Sequence, residues 1–163
     1  MLMKTLYILR HAKAAGSFDG FDDIDRPLKP RGLQDAYALG QALAVRGLKV
    51  DLTAVSSAAR TLQTASVVVR TAGLAFENLR VAPELYLPND GETLDYVRLL
   101  PNEVASAMVV GHNPDLSYLC QELLGDHGLE LPTCGFVALS LPTDSWSNVT
   151  PGSAKLEYVI FPK

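Results

Sequence analysis

The four consecutive apolar residues from Leu6 to Leu9 restrict the possible folds more than any other segment of the chain. A strand made of them would be apolar on both faces, which is typical of a strand inside a parallel sheet. Arg10 and His11 follow directly. Because ligands bind at the carboxyl ends of the strands in open α/β sheets, these two residues are candidates for a binding site. The alternative is a solvated arginine beside an ordinary loop histidine.

The rest of the chain alternates apolar runs with segments of helical periodicity, as α/β proteins do. The periodicity predicts helices over 31–46, 58–72, 92–100 and 114–124. Apolar runs predict further strands over 52–55, 79–82, 107–111, 135–141 and 154–160, the last two joined by a polar turn at 144–152. Ser57 is the predicted N-cap of the second helix, and Asn113, followed by Pro114, that of the fourth. At 163 residues, the chain suits a single domain over 1–163.

Composition and charge argue against several classes of function. The net charge of −4 disfavours nucleic-acid binding, which needs a basic face. Cys120 and Cys134 lack metal-ligand spacing and are expected to be buried thiols, as in a reducing compartment. No apolar stretch approaches the roughly 18 residues of a membrane span, and residues 1–9 lack a signal-peptide pattern. We therefore expect a cytoplasmic protein without nucleic-acid or membrane partners.

Three strand-to-helix junctions carry arginine or histidine side chains. Arg10 and His11 follow the first strand, Arg60 lies at the start of the helix after the second strand, and His112 follows the strand over 107–111. Parallel strands joined by right-handed crossovers end at the same edge of a sheet, so we expect these four side chains to form one cationic pocket. Chance placement would require four independent coincidences.

A pocket of this composition suits phosphoryl transfer. Guanidinium groups bind phosphate oxygens bidentately, and an imidazole with a free ring nitrogen can attack phosphorus or donate to an oxygen. The chain has no carboxylate cluster typical of a magnesium site and no glycine-rich phosphate loop of the G-x-x-x-x-G-K-[ST] kind. The pattern therefore predicts a mechanism through phosphohistidine, with no metal and no other cofactor.

The segment 14–30 is rich in glycine, aspartate and proline, and ordered loops of this length are usually functional. We interpret it as a wall of the site. Arg26 within it could point a second guanidinium at the substrate or pair with the loop aspartates. Both roles stay open, and Arg26 is kept as a candidate substrate-binding residue.

The same junctions resemble the motifs of a known family. Leu9-Arg10-His11-Ala12 is similar to the Arg-His-Gly signature of the histidine phosphatase (phosphoglycerate mutase-like) superfamily, with Ala12 in place of glycine. Residues 57–65 resemble the part of its second motif, Ser-x-x-x-Arg-Ala-x-Gln-Thr-Ala, that follows the serine, except at Thr61, and residues 110–114 resemble its third. The small size and the Asp-Arg-Pro-Leu sequence at 25–28 look most like the SixA-type phosphohistidine phosphatases.

The resemblance implies a three-layer α/β fold, with a mostly parallel sheet flanked by helices on both faces. It also implies that His11 is the nucleophile and that Arg10, Arg60 and His112 bind the phosphoryl oxygens, with Asn113 a further candidate for substrate binding. His11 must then attack through a neutral ring nitrogen while its other nitrogen donates a hydrogen bond, for which we expect a main-chain carbonyl.

The identity of a general acid is left open. Members of the family that cleave phosphate esters carry an acidic residue either directly after the second histidine or in the loop after the third strand. The first position is Asn113 here, which has no carboxylic proton. The second could be Glu84, which a solvated or helix-capping role explains equally well. His127, in a loop, is expected to be an ordinary surface residue.

The length of the chain bears on the substrate. Between Arg60 and His112 the sequence supplies a helix, a strand and another helix, with no long insertion left to form a lid. Small-molecule phosphatases gain from enclosure, whereas an open site admits a phosphate carried on a protein. A protonated phosphoimidazole also leaves as a neutral ring, with little need for a general acid. We expect a phosphotransfer domain or phosphocarrier protein as substrate; the alternatives are a small phosphoester and a weakly active phosphate-sensing module.

Overall fold

The structure, a computed structural model, describes residues 3–163. At its centre lies a six-stranded sheet of strands β1 to β6, which span Lys4–Arg10, Leu52–Val55, Leu79–Val81, Ser106–Gly111, Phe136–Leu141 and Lys155–Ile160. The order across the sheet is β3-β2-β4-β1-β5-β6. The first four strands in this order are parallel, and β5 is antiparallel to both of its neighbours. The prediction of a mostly parallel sheet is confirmed.

Helices cover both faces of the sheet. They are α1 to α4, which span Pro30–Val45, Ala59–Thr71, Glu92–Arg98 and Asp115–Leu124. Leu9 of β1 belongs to a buried cluster with residues of α1 and α2, whereas its neighbour Ile8 belongs to a second cluster with residues of α3 and α4. Successive residues of a strand point to opposite faces, so the apolar run in β1 serves two layers of helices. The three-layer architecture is confirmed.

The start of α2 differs from the prediction. The residue before the helix, Ala58, is still extended, and no side chain caps the helix, so the assignment of Ser57 as N-cap is wrong. Thr61 holds the first turn instead, because its hydroxyl lies 2.8 Å from the carbonyl oxygens of both Ser56 and Ala58. These bonds tie the start of the helix to the preceding segment, although they do not satisfy its free N–H groups.

The start of α4 also lies beyond the predicted position. Pro114 is the residue before the helix rather than its first residue, which is Asp115. Asn113 therefore precedes the N-cap position. Its side-chain oxygen nevertheless accepts a hydrogen bond from the backbone N–H of Ser117 at 3.2 Å, so it satisfies one of the free donors of the first turn.

The predicted polar turn at 144–152 contains a core residue. Trp146 is fully buried, and its indole N–H donates to the carbonyl oxygen of Val104 at 2.8 Å. The segment has no apolar periodicity, so only the fold reveals that its tryptophan anchors the connection between β5 and β6.

The two cysteines meet the prediction made for them. Cys120 and Cys134 are buried free thiols, and burial raises the pKa of each to about 12. Within residues 3–163, none of the helices is long and apolar enough to cross a membrane.

Candidate active site

His11 lies directly after β1, at the carboxyl edge of the sheet. Its backbone N–H donates to the carbonyl oxygen of Gly111 at the end of β4 (3.0 Å), which fixes the residue between two parallel strands. Its ring nitrogen Nδ1 lies 2.7 Å from the carbonyl oxygen of Ala12. A carbonyl oxygen only accepts, so we assign the ring proton to Nδ1, which leaves Nε2 with a free lone pair. The main-chain partner expected for His11 is thus Ala12.

The surroundings of His11 keep its imidazole neutral. Burial lowers the pKa of His11 to about 4, opposed by the hydrogen bond to Ala12. The positive charges of Arg60, Arg10 and Arg26 lower it further. Above that pKa the Nε2 atom is unprotonated, as a nucleophile requires.

Ala12, which stands where the family motif has glycine, is itself buried. Its backbone N–H donates to the hydroxyl of Thr64 in α2 at 3.0 Å, so the main chain after the nucleophile is tied to the neighbouring helix. The backbone of Ala12 therefore bonds to the His11 ring through its carbonyl oxygen and to α2 through its N–H.

His112 follows β4 and faces His11. The centroids of the two rings are 5.4 Å apart. Its Nε2 lies 2.7 Å from the hydroxyl oxygen of Ser56, at the end of β2. With the Ser56 hydroxyl donating to Nε2, we assign the ring proton to Nδ1. Burial, followed by the charge of Arg60, lowers the pKa of His112 to about 3, so this ring is also neutral.

Arg60 lies in the first turn of α2, where the helix dipole favours an anion. The residue is buried, and its guanidinium contacts Asp23 of the 14–30 segment. Nη1 donates to the carbonyl oxygen of Asp23 at 2.7 Å, and Nη2 donates to its carboxylate at 3.2 Å. The guanidinium of Arg60 is thus held in place by both the backbone and the side chain of Asp23.

Arg10, the last residue of β1, turns toward the segment that precedes β5. Its Nη1 donates to the carbonyl oxygen of Leu131 at 3.0 Å. Burial lowers the pKa of Arg10, while the charge of Glu130 opposes the change. The positive charge of Arg10 reaches both histidines, because it contributes to the lowered pKa of each.

Three buried nitrogens of these residues have no hydrogen-bond partner. Among the side chains of residues 3–163, the unpartnered buried polar atoms are Arg10 Nε, Arg60 Nε and His112 Nδ1. A buried donor without an acceptor costs about 1–3 kcal/mol. All three belong to the residues predicted to bind phosphoryl oxygens, and a phosphoryl group carries enough acceptors for all of them.

An open cleft of about 470 Å³ borders Arg60 and His112 of this cluster. Its walls include Arg60, His112 and Asp115 together with Asp23 and Tyr86. The sequence did not single out the last two. Tyr86 donates its hydroxyl to the Asp23 carboxylate at 2.6 Å, and its ring lies edge-on to His112 with centroids 5.6 Å apart. The structure thus adds a carboxylate and a phenol to the predicted site.

Arg26 pairs with a loop aspartate, which was one of its two predicted roles. Its Nη1 donates to the Asp23 carboxylate at 2.7 Å, and its Nε donates to the carbonyl oxygen of Ala15. The hydrogen bond from Tyr86, followed by that from Arg26, lowers the pKa of Asp23 to about 2 against the effect of burial. Asp23 therefore joins the 14–30 segment to the site, as expected of a site wall.

The structure does not bring Glu84 to the cleft. Glu84 lies in the short turn Pro83–Leu85, which buries Leu85 in the core and directs Tyr86 to the cleft. The carboxylate of Glu84 is exposed, and its charge adds to the effect of burial in raising the pKa of Tyr96 on α3. The tyrosine rather than the glutamate of this loop reaches the site.

The side chain of Asn113 is occupied by structural contacts. Its amide nitrogen donates to the carbonyl oxygen of Leu131 at 2.9 Å, and its oxygen accepts from the Ser117 hydroxyl at 2.9 Å. Asn113 borders the cleft, but its side chain is used in these contacts, which position the segment after His112. His127 is exposed, in line with the surface role expected for it.

The fold, with two arginines and two histidines at one edge of its sheet, is typical of a class of phosphoryl-transfer enzymes. The family model described as the histidine phosphatase superfamily (branch 1) matches residues 6–86. The phosphohistidine phosphatase SixA of Escherichia coli (strain K12) is 32% identical over 120 residues, which cover 72% of this chain and 73% of that protein. The chain belongs to the histidine phosphatase superfamily and is a phosphatase similar to the SixA proteins.

Two further comparisons span almost the whole chain. An uncharacterized protein of Mycobacterium tuberculosis (strain H37Rv) is 31% identical over 157 residues, which cover 91% of this chain and 96% of that protein. The solved structure of the protein histidine phosphatase SixA complexed with tungstate is 27% identical, covers 96% of each chain and has a TM-score of 0.81. The likeness therefore extends beyond the segment that the family model matches.

Proposed function

We propose that the protein removes phosphate from phosphohistidine on a phosphotransfer domain or phosphocarrier protein, through a phosphohistidine intermediate on His11 and without a metal ion. The observation that carries the proposal is the set of three unpartnered donors, on Arg10, Arg60 and His112, around a histidine whose Nε2 is free. Binding alone would not need an unprotonated nitrogen there, so the geometry favours turnover over a phosphate-sensing role.

In the first step, Nε2 of His11 attacks phosphorus. The bond from phosphorus to the substrate's imidazole breaks, and its electron pair returns to that ring, which leaves as a neutral group when its other nitrogen carries a proton. The ring of His11 gains positive charge, which the carbonyl oxygen of Ala12 stabilises by accepting from Nδ1. Arg10, Arg60 and His112 donate to the equatorial oxygens, where charge is concentrated in the transition state.

Two features of the site support phosphohistidine as the substrate. Glu84, the acidic residue of the loop after β3, is exposed and lies outside the cleft. This loop therefore supplies no carboxylic acid to protonate the leaving group of a phosphate ester. A phosphoimidazole needs such an acid least. The cleft is also open, which admits a side chain presented by another protein.

The place of the reaction is part of the proposal. Two buried free thiols are typical of proteins in a reducing compartment. We therefore place the phosphatase and its phosphorylated partner in the cytoplasm.

A side-by-side assay of phosphate release tests the proposal. The substrates are a histidine-phosphorylated phosphocarrier protein, several sugar phosphates and phosphoglycerate, each with and without EDTA. We expect a kcat/KM for the phosphoprotein far above that for the esters, unchanged by the chelator. Preference for a sugar phosphate would support the small-phosphoester alternative, and loss with EDTA followed by rescue with a divalent ion would overturn the metal-free mechanism.

A further inference from the structure

Hydrolysis of the intermediate needs a group that accepts a proton from water, and the family motifs in this chain do not supply it. Within residues 3–163, the carboxylates that border the cleft belong to Asp23 and Asp115. Asp115 also borders a second cavity, and burial, followed by the charge of Asp90, raises its pKa. Asp23, in contrast, contacts Arg60, one of the residues that would hold the phosphoryl group.

The contacts of Asp23 hold its carboxylate in place independently of Arg60. One oxygen accepts from Arg26 at 2.7 Å, and the other accepts from Tyr86 at 2.6 Å. The contact of that second oxygen with Arg60 is longer, at 3.2 Å. The two shorter bonds therefore keep the carboxylate at the cleft when the free Nε of Arg60 binds a phosphoryl group.

Two side chains, Arg60 and Tyr86, connect Asp23 to the histidines of the site. Arg60 is the charge that most lowers the pKa of His11, and its guanidinium is bonded to Asp23. Tyr86, which holds Asp23, packs against His112. A phosphoryl group bound by Arg60 and His112 would therefore lie at the cleft that the Asp23 carboxylate borders.

We propose that Asp23 accepts the proton of the water molecule that hydrolyses the phosphohistidine on His11. The inference rests on the proposed function. The water oxygen forms a bond to phosphorus, the bond between phosphorus and Nε2 of His11 breaks, and its electron pair returns to the ring. The Nδ1 proton of His11 stays on the ring, hydrogen-bonded to the Ala12 carbonyl oxygen, so His11 leaves as a neutral imidazole. The proton lost by water goes to the Asp23 carboxylate.

The charges around Asp23 change in the direction that this role requires. The hydrogen bond from Tyr86, followed by Arg26 and Arg60, keeps the pKa of Asp23 low in the free enzyme. A phosphoryl group on the free Nε of Arg60 would offset the positive charge of that arginine and add negative charge nearby. Both changes raise the pKa of Asp23 and make it a better proton acceptor when the intermediate is present.

Rapid-quench measurements with radiolabelled p-nitrophenyl phosphate test the inference, because nitrophenolate leaves without a general acid. In Asp23→Asn, we expect label to reach His11 at a rate within about tenfold of wild type, while steady-state turnover falls on the order of 10²-fold and labelled enzyme accumulates. The single asparagine oxygen can still accept from Tyr86 or from Arg26, although not from both. Asp25→Asn is the matched control: this aspartate is exposed in the same turn, and we expect it to behave as wild type.

A second variant separates proton transfer from a structural role. In Asp23→Ala, added formate should restore hydrolysis of the labelled intermediate, since a small carboxylate can occupy the space of the lost side chain. Normal or faster turnover in Asp23→Asn, without accumulated label, would overturn the inference and indicate that Asp23 only competes with phosphate for Arg60. Wild-type enzyme that never labels His11 would overturn the proposed function as well.

Discussion

The two buried histidines predict a loss of stability at mildly acidic pH. The pKa of His11 falls from 6.5 to about 4 on folding, because burial and nearby arginines disfavour its charged form. Between these values the unfolded chain binds more protons than the folded protein. The free energy of unfolding therefore rises with pH across this interval. The contribution of His11 is present in full above pH 6.5 and is lost as the pH falls toward 4.

The size of the effect follows from the same two values. From neutral pH to pH 4, the lowered pKa of His11 corresponds to a loss of about 3 kcal/mol in the free energy of unfolding. His112, with a pKa of about 3, adds a loss of similar size. In His11→Gln the first contribution disappears. Between neutral pH and pH 4, the free energy of unfolding of the variant should fall by about 3 kcal/mol less than that of wild type, whatever the stability of the variant at neutral pH.

Urea denaturation at neutral pH and at pH 4 measures this difference directly. His127→Gln is the control, because it removes an exposed histidine and should leave the pH dependence of wild type unchanged. Equal losses in wild type and His11→Gln would show that the folded protein does not depress the pKa of His11. The argument for a neutral attacking nitrogen would then fail.

Three substitutions give further tests. Arg60→Ala should lower kcat on the order of 10²–10³-fold, because it removes a donor to the transition state, and steady-state kinetics would show this; a loss below tenfold would place the phosphoryl group elsewhere. Glu84→Gln should leave kcat/KM for phosphohistidine and for alkyl esters within about twofold of the wild-type values, as expected for an exposed surface residue. A large loss on esters would indicate that Glu84 is the general acid. Trp146→Ala should lower the free energy of unfolding by about 3–5 kcal/mol in denaturant titrations, since it empties a fully buried site; a loss below 1 kcal/mol would contradict its role as an anchor.

The fold and the four-residue cluster could be predicted from the sequence because both follow from regular patterns. The apolar run at Leu6 to Leu9 specifies a strand buried on both faces, and parallel strands bring their carboxyl ends to one edge. Side chains at those ends, such as those of His11 and His112, come together whatever the detail of the loops. The 5.4 Å between the two rings is a consequence of strand pairing.

The remaining site residues lie in segments without periodicity. Segment 14–30 contains several aspartates, and nothing in their spacing distinguishes Asp23, which meets Arg60 only in three dimensions. The choice between Glu84 and Tyr86 depends on how a short turn after β3 directs successive side chains, because burial of Leu85 sends the tyrosine to the cleft. Such choices are made by packing, which a local sequence pattern does not encode.

The central claim is that His11 is the nucleophile, and labelling of this residue tests it most directly. Wild-type enzyme, His11→Ala and the control His127→Ala are mixed with a radiolabelled phosphohistidine protein, quenched rapidly and analysed for label on the enzyme. We predict acid-labile, base-stable label on wild type and His127→Ala, none on His11→Ala, and a loss of turnover on the order of 10³-fold or more in His11→Ala. Equal labelling of His11→Ala would contradict the account and assign the nucleophile to another residue.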